Sequence, residues 1–85
     1  MTNSHLSVKA VHVYFQNSLL YVVLSDGRHI ATPLTWYEKL ANATTEELKN
    51  WKISPSGIGI HWPELDEDIS IRPMLSTDFL YKNAA

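Results

Sequence analysis

Apolar and polar residues alternate along the first third of the chain with the two-residue period of half-buried strands. Val8 to Phe15 places Val11, Val13 and Phe15 on one face and Val8, Ala10, His12 and Tyr14 on the other. Gln16-Asn17-Ser18 marks a turn, because Asn tolerates left-handed backbone angles. Leu19 to Leu24 is apolar on both faces and reads as a central strand. Asp26-Gly27 is a hairpin signal of the type I′ kind, which needs positive φ at both central residues. A third strand runs from Arg28 to about Thr32, and Pro33 ends it by removing a backbone donor. This third of the chain is predicted to be a three-stranded antiparallel meander.

The pattern then changes to helical punctuation. Thr35-Trp36-Tyr37-Glu38 and Thr44-Thr45-Glu46-Glu47 each fit a capping box, in which threonine and glutamate satisfy each other's orphan backbone donors. Ala43 and Leu48 stand at staple positions around the second. Trp36 and Leu40 are four apart, with Tyr37 nearby, and Leu48 and Trp51 are three apart, so each short helix has an apolar side. Helices of about two turns persist only when packed on something else. Lys52-Ile53 reads as a brief strand, and Ser54-Pro55-Ser56-Gly57 as a turn.

From Gly57 to Ile71 the alternation returns, with Ile58 and Ile60 at one end and Ile69 and Ile71 at the other. Pro63 interrupts any ladder between them, and Glu64, Asp66, Glu67 and Asp68 hang carboxylates on the connection. This predicts two short strands joined by an acidic turn that Trp62 and Leu65 pin to the core. Beyond Ile71, Pro73 suits the start of a helix whose apolar side would be Met74, Leu75, Phe79 and Leu80. Residues 82–85 are expected to fray. The fold expected is α+β: an antiparallel sheet of four to six strands, the meander plus the short C-terminal strands, with two or three short helices on one face.

Eighty-five residues form one domain, residues 1–85, ordered from about 7 to 81, and 45% hydrophobic content suffices for a buried core. There is no cysteine, which removes disulfide, Fe–S and Cys-rich zinc chemistry and fits a reducing cytoplasm. The net charge of −2 speaks against general binding to a phosphate backbone, which needs a basic face. The longest apolar run, Leu19 to Leu24, is far short of the roughly 20 residues of a membrane helix. The N-terminus lacks the basic and apolar regions of a signal peptide.

The acidic stretch is the first place to look for chemistry. Glu64, Asp66, Glu67 and Asp68 with His61 offer hard oxygen donors and one imidazole, a set a divalent cation could use. Pro63 and Leu65 break the spacing of a calcium loop, however, and no zinc signature is present, so a solvated acidic loop is the better expectation. Asp66 or Asp68 capping amides of the turn is a further structural reading. Acid–base work on a glycoside would need a carboxylate in a cleft, for which 85 residues leave little room. His5, His12, His29 and His61 share no ligand spacing, although His12 and His29 fall on strands that could bring them face to face. No Gly-x-Ser-x-Gly turn supports a nucleophile. Of Trp36, Trp51 and Trp62, at least two belong in the core by their spacing, and Trp62, beside Pro63 and the acids, is the one expected to be partly exposed.

A set of residues spread over the chain carries a resemblance. Asp26-Gly27-Arg28, Pro33-Leu34, Trp36-Tyr37, Leu40, Ala43-Thr44, Asn50-Trp51, the run from Gly57 through His61-Trp62-Pro63-Glu64-Leu65-Asp66-Glu67-Asp68 to Ile71, and Leu75 together resemble the bacterial domain of unknown function 2442 family. The likeness spans about residues 8 to 75. It implies an α+β domain, sometimes joined to a helix-turn-helix segment and often encoded beside a second small protein in a toxin–antitoxin-like arrangement. No stretch here is long enough for such a segment, so direct nucleic-acid binding is not expected. The family brings no reaction with it.

These readings converge on a cytoplasmic, non-catalytic protein-interaction module without cofactor. Its expected contact is Trp62, Glu64, Asp66, Glu67 and Asp68, together with a sheet edge, against a protein partner with a basic surface. An antitoxin-like or inhibitory role fits the gene context that the resemblance implies, and an open edge also allows a homodimer. The alternatives are a metal-dependent or carboxylate-based enzyme on the same acidic turn, and a transcription-linked regulator.

Overall fold

The computed structural model describes residues 8–75. Two three-stranded antiparallel sheets and a few short helices make an α+β fold. The first sheet is the meander β1 (Ala10–Gln16), β2 (Leu19–Leu24) and β3 (His29–Pro33), in that order. A 3-10 turn (Leu34–Trp36), α1 (Glu38–Ala41) and α2 (Thr45–Lys49) follow. The second sheet is β4 (Lys52–Ile53), β5 (Gly59–Trp62) and β6 (Glu67–Ser70), and α3 (Arg72–Leu75) closes the described chain. The expected C-terminal strands thus form a sheet of their own. The expectations for Phe79, Leu80 and residues 82–85 lie outside the described residues.

Register explains which side chains are buried. Val13 pairs with Val22 and Val22 with Ile30, while Phe15 pairs with Leu20 and Leu20 with Thr32. These two rows form the inner face of the first sheet. Ile60 and Ile69 pair across the second sheet, and both sheets bury their inner faces in one cluster with Leu40 and Met74. The simple alternation expected in β1 fails at one point. The register shifts between Ala10 and His12, so Val11 is an extra residue in the strand and stands 54% exposed. Beyond that bulge the parity is reversed, and Ala10 joins Val13 on the buried side. Val8 is buried too.

The turn chemistry also differs from expectation. Asn17 (φ 54°) and Ser18 (φ 64°) are both left-handed, so the type I′ geometry belongs to the β1–β2 connection. At Asp26-Gly27 only Gly27 has positive φ, 95°. There Gly27 N–H donates to the Leu24 carbonyl and Leu24 N–H to that of Arg28, the three-residue loop with a glycine bulge. Asp26 contributes through its side chain, accepting from Arg28 N–H at 3.1 Å and Arg28 Nε at 2.8 Å. The backbone bond from Arg28 is the main reason its carboxyl titrates below the ordinary 3.8.

Only the second capping box forms. Thr44 Oγ1 accepts from Glu47 N–H at 3.1 Å, and Glu47 Oε1 accepts from Thr44 N–H at 2.9 Å. Thr35 lies instead inside the 3-10 turn, and α1 begins after Tyr37, which has extended angles and makes no side-chain cap. Tyr37 reaches back to the first sheet, its hydroxyl 3.1 Å from Oγ1 of the buried Thr32. Burying Leu40 completely and satisfying Thr32 outweighs a cap worth about 1 kcal/mol.

The sheets meet at a corner where Ala10 N–H donates to the Gly57 carbonyl at 2.8 Å. Gly57 has φ 79°, and a Cβ there would lie 2.7 Å from Cβ of Lys9. Gly57→Ala is therefore expected to cost about 2–4 kcal/mol, combining left-handed strain with a backbone-proximal clash. Gly27→Ala meets nothing within 4 Å and should cost only the strain, about 1–2 kcal/mol. Urea unfolding of both variants measures the difference. By the same reasoning Ser18→Gly relieves left-handed strain at the tight turn, and should raise stability by about 0.5–1 kcal/mol after the larger entropy of the unfolded glycine is counted.

Candidate functional site

The acidic connection is a four-residue loop, Pro63 to Asp66, because β5 runs through Trp62 and β6 starts at Glu67. Leu65 N–H donates to the Trp62 carbonyl and Asp66 N–H to that of Pro63, and Asp66 (φ 51°) takes the left-handed position that leads into β6. Neither Asp66 nor Asp68 caps amides of this loop; Asp66 shapes it through its backbone. Lys39 on α1 donates from Nζ to the Asp66 carbonyl at 3.1 Å, tying the loop to the helix.

Glu67 and Asp68 are strand residues, so the expected cluster of carboxylates is divided. Asp68 pairs in register with His61, and His61 Nδ1 lies 2.6 Å from Asp68 Oδ1 on the solvent face of the second sheet. Glu67, half-buried, and Asp68, exposed, line a hollow of about 440 Å³ with Trp36, Tyr37, Pro73 and Met74. Glu64 lies elsewhere, in a smaller hollow of about 290 Å³ with Glu46, Lys49 and Asn50. Among the described residues, no three His, Asp or Glu side chains come together in a metal-binding group.

Trp62 is not the exposed aromatic of this region. Its ring is wholly buried, lies edge-on to Phe15 at 6.4 Å, and donates from Nε1 to the Leu48 carbonyl at 3.0 Å. The two-residue period that buries Ile60 also buries Trp62, so it cannot touch a partner in the folded chain. The tryptophan beside the acids is Trp36, 48% exposed. Its spacing from Leu40 suggests a shared helical face, but the chain is not helical at Tyr37, and only Leu40 goes inside. No local signal in the sequence marks the later start, since Pro33 restricts Thr32 before it and not the residues after it.

A second feature lies on the outer face of the first sheet. Tyr14 and Tyr21, a cross-strand pair, stack with ring centres 4.7 Å apart and planes 7° apart. The Tyr14 hydroxyl is 2.9 Å from His29 Nδ1, and His12 packs 5.4 Å edge-on to Trp51. His12 and His29 share this face but do not meet, since Val23 is the register partner of both. Past this face, β1, α2 and Trp51 border a groove of about 530 Å³.

The architecture defines a small two-sheet α+β domain with an acidic hairpin end beside an exposed tryptophan. The chain belongs to the family described as protein of unknown function (DUF2442), whose model matches residues 10–79. It is similar to a protein of unknown function from Rhodospirillum rubrum, known from a crystal structure, at 25% identity and a TM-score of 0.70, covering 81% of this chain and 86% of that one. An uncharacterised protein from Chromobacterium violaceum, solved by NMR, shares the fold at 22% identity and a TM-score of 0.69, covering 88% of this chain and 75% of that one. No curated protein matches the chain. No helix among the described residues is long and apolar enough to cross a membrane.

The hydroxyl pair under the Trp36 hollow offers a direct check. Burial pushes the Tyr37 phenol above its ordinary 10.0, against the smaller opposing effect of its bond to Thr32. The folded chain thus holds this proton to higher pH than the unfolded chain does, so the contribution is complete below pH 10 and is lost as pH rises past the folded value. Tyr37→Phe should lower neutral-pH stability by about 1–3 kcal/mol, because buried Thr32 loses its partner, and should flatten the loss of stability above about pH 10. Unfolding curves of both proteins from neutral to alkaline pH measure this.

Proposed function

We propose that this domain is a non-catalytic protein-interaction module that docks a basic surface of another small protein on the acidic end of the β5–β6 hairpin, with a sheet edge as a second contact. The observation that carries this reading is the hollow where Glu67 and Asp68 stand beside Trp36. Carboxylates at such a hollow suit an arginine or lysine side chain, which gains from the opposite charge and from charge-assisted hydrogen bonds. Asp66 and Glu64 extend the negative surface around the loop, and both are exposed. Such a surface speeds encounter and selects against acidic partners more than it adds raw affinity. An antitoxin-like or inhibitory role in the cytoplasm agrees with this surface and with the lack of cysteine.

The test is affinity capture from the cell of origin, with Glu64, Asp66, Glu67 and Asp68 changed to Gln or Asn, and separately with Trp36→Ala. The captured protein, once identified and purified, should bind the wild-type domain with an affinity that falls steeply between low and high salt. The neutralised variant should lose about tenfold or more of that affinity. Unchanged affinity in a folded neutralised variant would rule out the acidic hairpin as the contact.

A further inference from the structure

The hydrogen-bond pattern of the first sheet shows which strand edge has backbone groups to offer. Because a two-residue turn closes the β1–β2 hairpin, Gln16 and Leu19 exchange both of their backbone bonds. Alternation along the register then makes Tyr14–Tyr21 a bonded pair and leaves Val13–Val22 and Phe15–Leu20 as non-bonded pairs. The N–H and C=O groups of Val13 and Phe15 consequently point away from β2, at two positions about 7 Å apart. No other hydrogen bond among the described residues takes them up. β3, the opposite edge, presents Pro33, which cannot donate. Val13 and Phe15 both line the groove of about 530 Å³, together with Thr45, Leu48 and Lys49 of α2 and with Trp51.

We infer that this groove receives an extended peptide segment of a partner protein, which adds to β1 as a further strand of the first sheet. Two outward amide and carbonyl pairs at strand spacing are matched by the backbone of another strand. A second copy of this chain does not fit as well. Its β1 would bring its own β2 a strand spacing of about 4.8 Å further out, so it asks for more room than a lone strand in a groove that α2 and Trp51 also line. The walls also set the side-chain chemistry. Alternate residues of the segment turn toward Phe15 and Leu48 on one side and toward Tyr14, His12 and Trp51 on the other. The ligand is thus a segment with aliphatic or aromatic residues at alternate positions and no proline opposite Val13 or Phe15. The inference rests on the reading of this domain as an interaction module, but uses a different face from the acidic hairpin.

The test follows the backbone amides of the isotope-labelled full chain by NMR. The probe is a pool of short capped peptides in which threonine alternates with valine, phenylalanine or tyrosine between terminal lysines. Its control is the same pool N-methylated at every second residue. Expected is a shift of the Val13 and Phe15 amides and the Trp51 indole, with exchange of those two amides slowed about tenfold, and no response to the methylated pool. Thr45→Trp, at an exposed site on the wall, should fill the groove and abolish the response, whereas neutralising the acidic hairpin should leave it intact. Three results would each overturn the inference: unmoved Val13 and Phe15 amides at about millimolar peptide, equal binding of the methylated pool, or self-association through these amides without peptide. Because hairpin and groove variants are scored separately, failure of one contact is distinguishable from failure of the other.

Discussion

The bond from the Trp62 indole to the Leu48 carbonyl, made inside the core, is the contact on which the arrangement of surfaces depends. One side chain of the second sheet touches Phe15 of the first and holds the last turn of α2. A tryptophan buried without a partner for its N–H would give back about 1–3 kcal/mol of what its ring area gains, so the bond favours one position of α2 against β5. Pro63 and the acidic loop begin at the next residue, and the wall of the β1 groove is the helix that supplies the carbonyl. Both candidate contacts therefore hang from a group that neither exposes.

The strands were legible because their sequence follows a local rule. A meander with alternating faces, a brief β4 and a hairpin ending in acids could all be read from periodicity and from the positions of glycine and proline. What could not be read was decided by partners distant in the chain. Val11 is flung outward because Ala10 is committed to Gly57, forty-seven positions further along in numbering. The choice of type I′ turn fell to Asn17-Ser18, a pair with no glycine, because the flanking strands there need a two-residue connection. Asp26-Gly27 was left with the looser loop.

The candidate site was legible in its charges but not in its aromatic member. Glu64, Asp66 and Asp68 face water as the density of acids suggested. The spacing from Leu40 points Trp36 inward, and Pro63 with the acids points Trp62 toward water. The structure reverses both, because β5 runs on through Trp62 and α1 starts two residues later than a Thr35 cap would place it. Either shift is small on the scale of local propensity, where helix or strand preferences differ by about 1 kcal/mol or less per residue. Tertiary burial of an indole is worth several times that, and it decides the matter.

The Ala10–Gly57 corner has a further consequence for anything laid along β1. It closes one end of the edge with a backbone bond to the second sheet, while the Asn17-Ser18 turn closes the other by reversing the chain. The usable length between these stops is set by the few residues that separate the Ala10 bond from the turn, and so works as a ruler. Long β-rich polymers, which grow by endless edge-to-edge stacking, find no continuous template here. A strand edge left unpaired among the described residues is in this way limited to brief segments, which works against fibrillar growth.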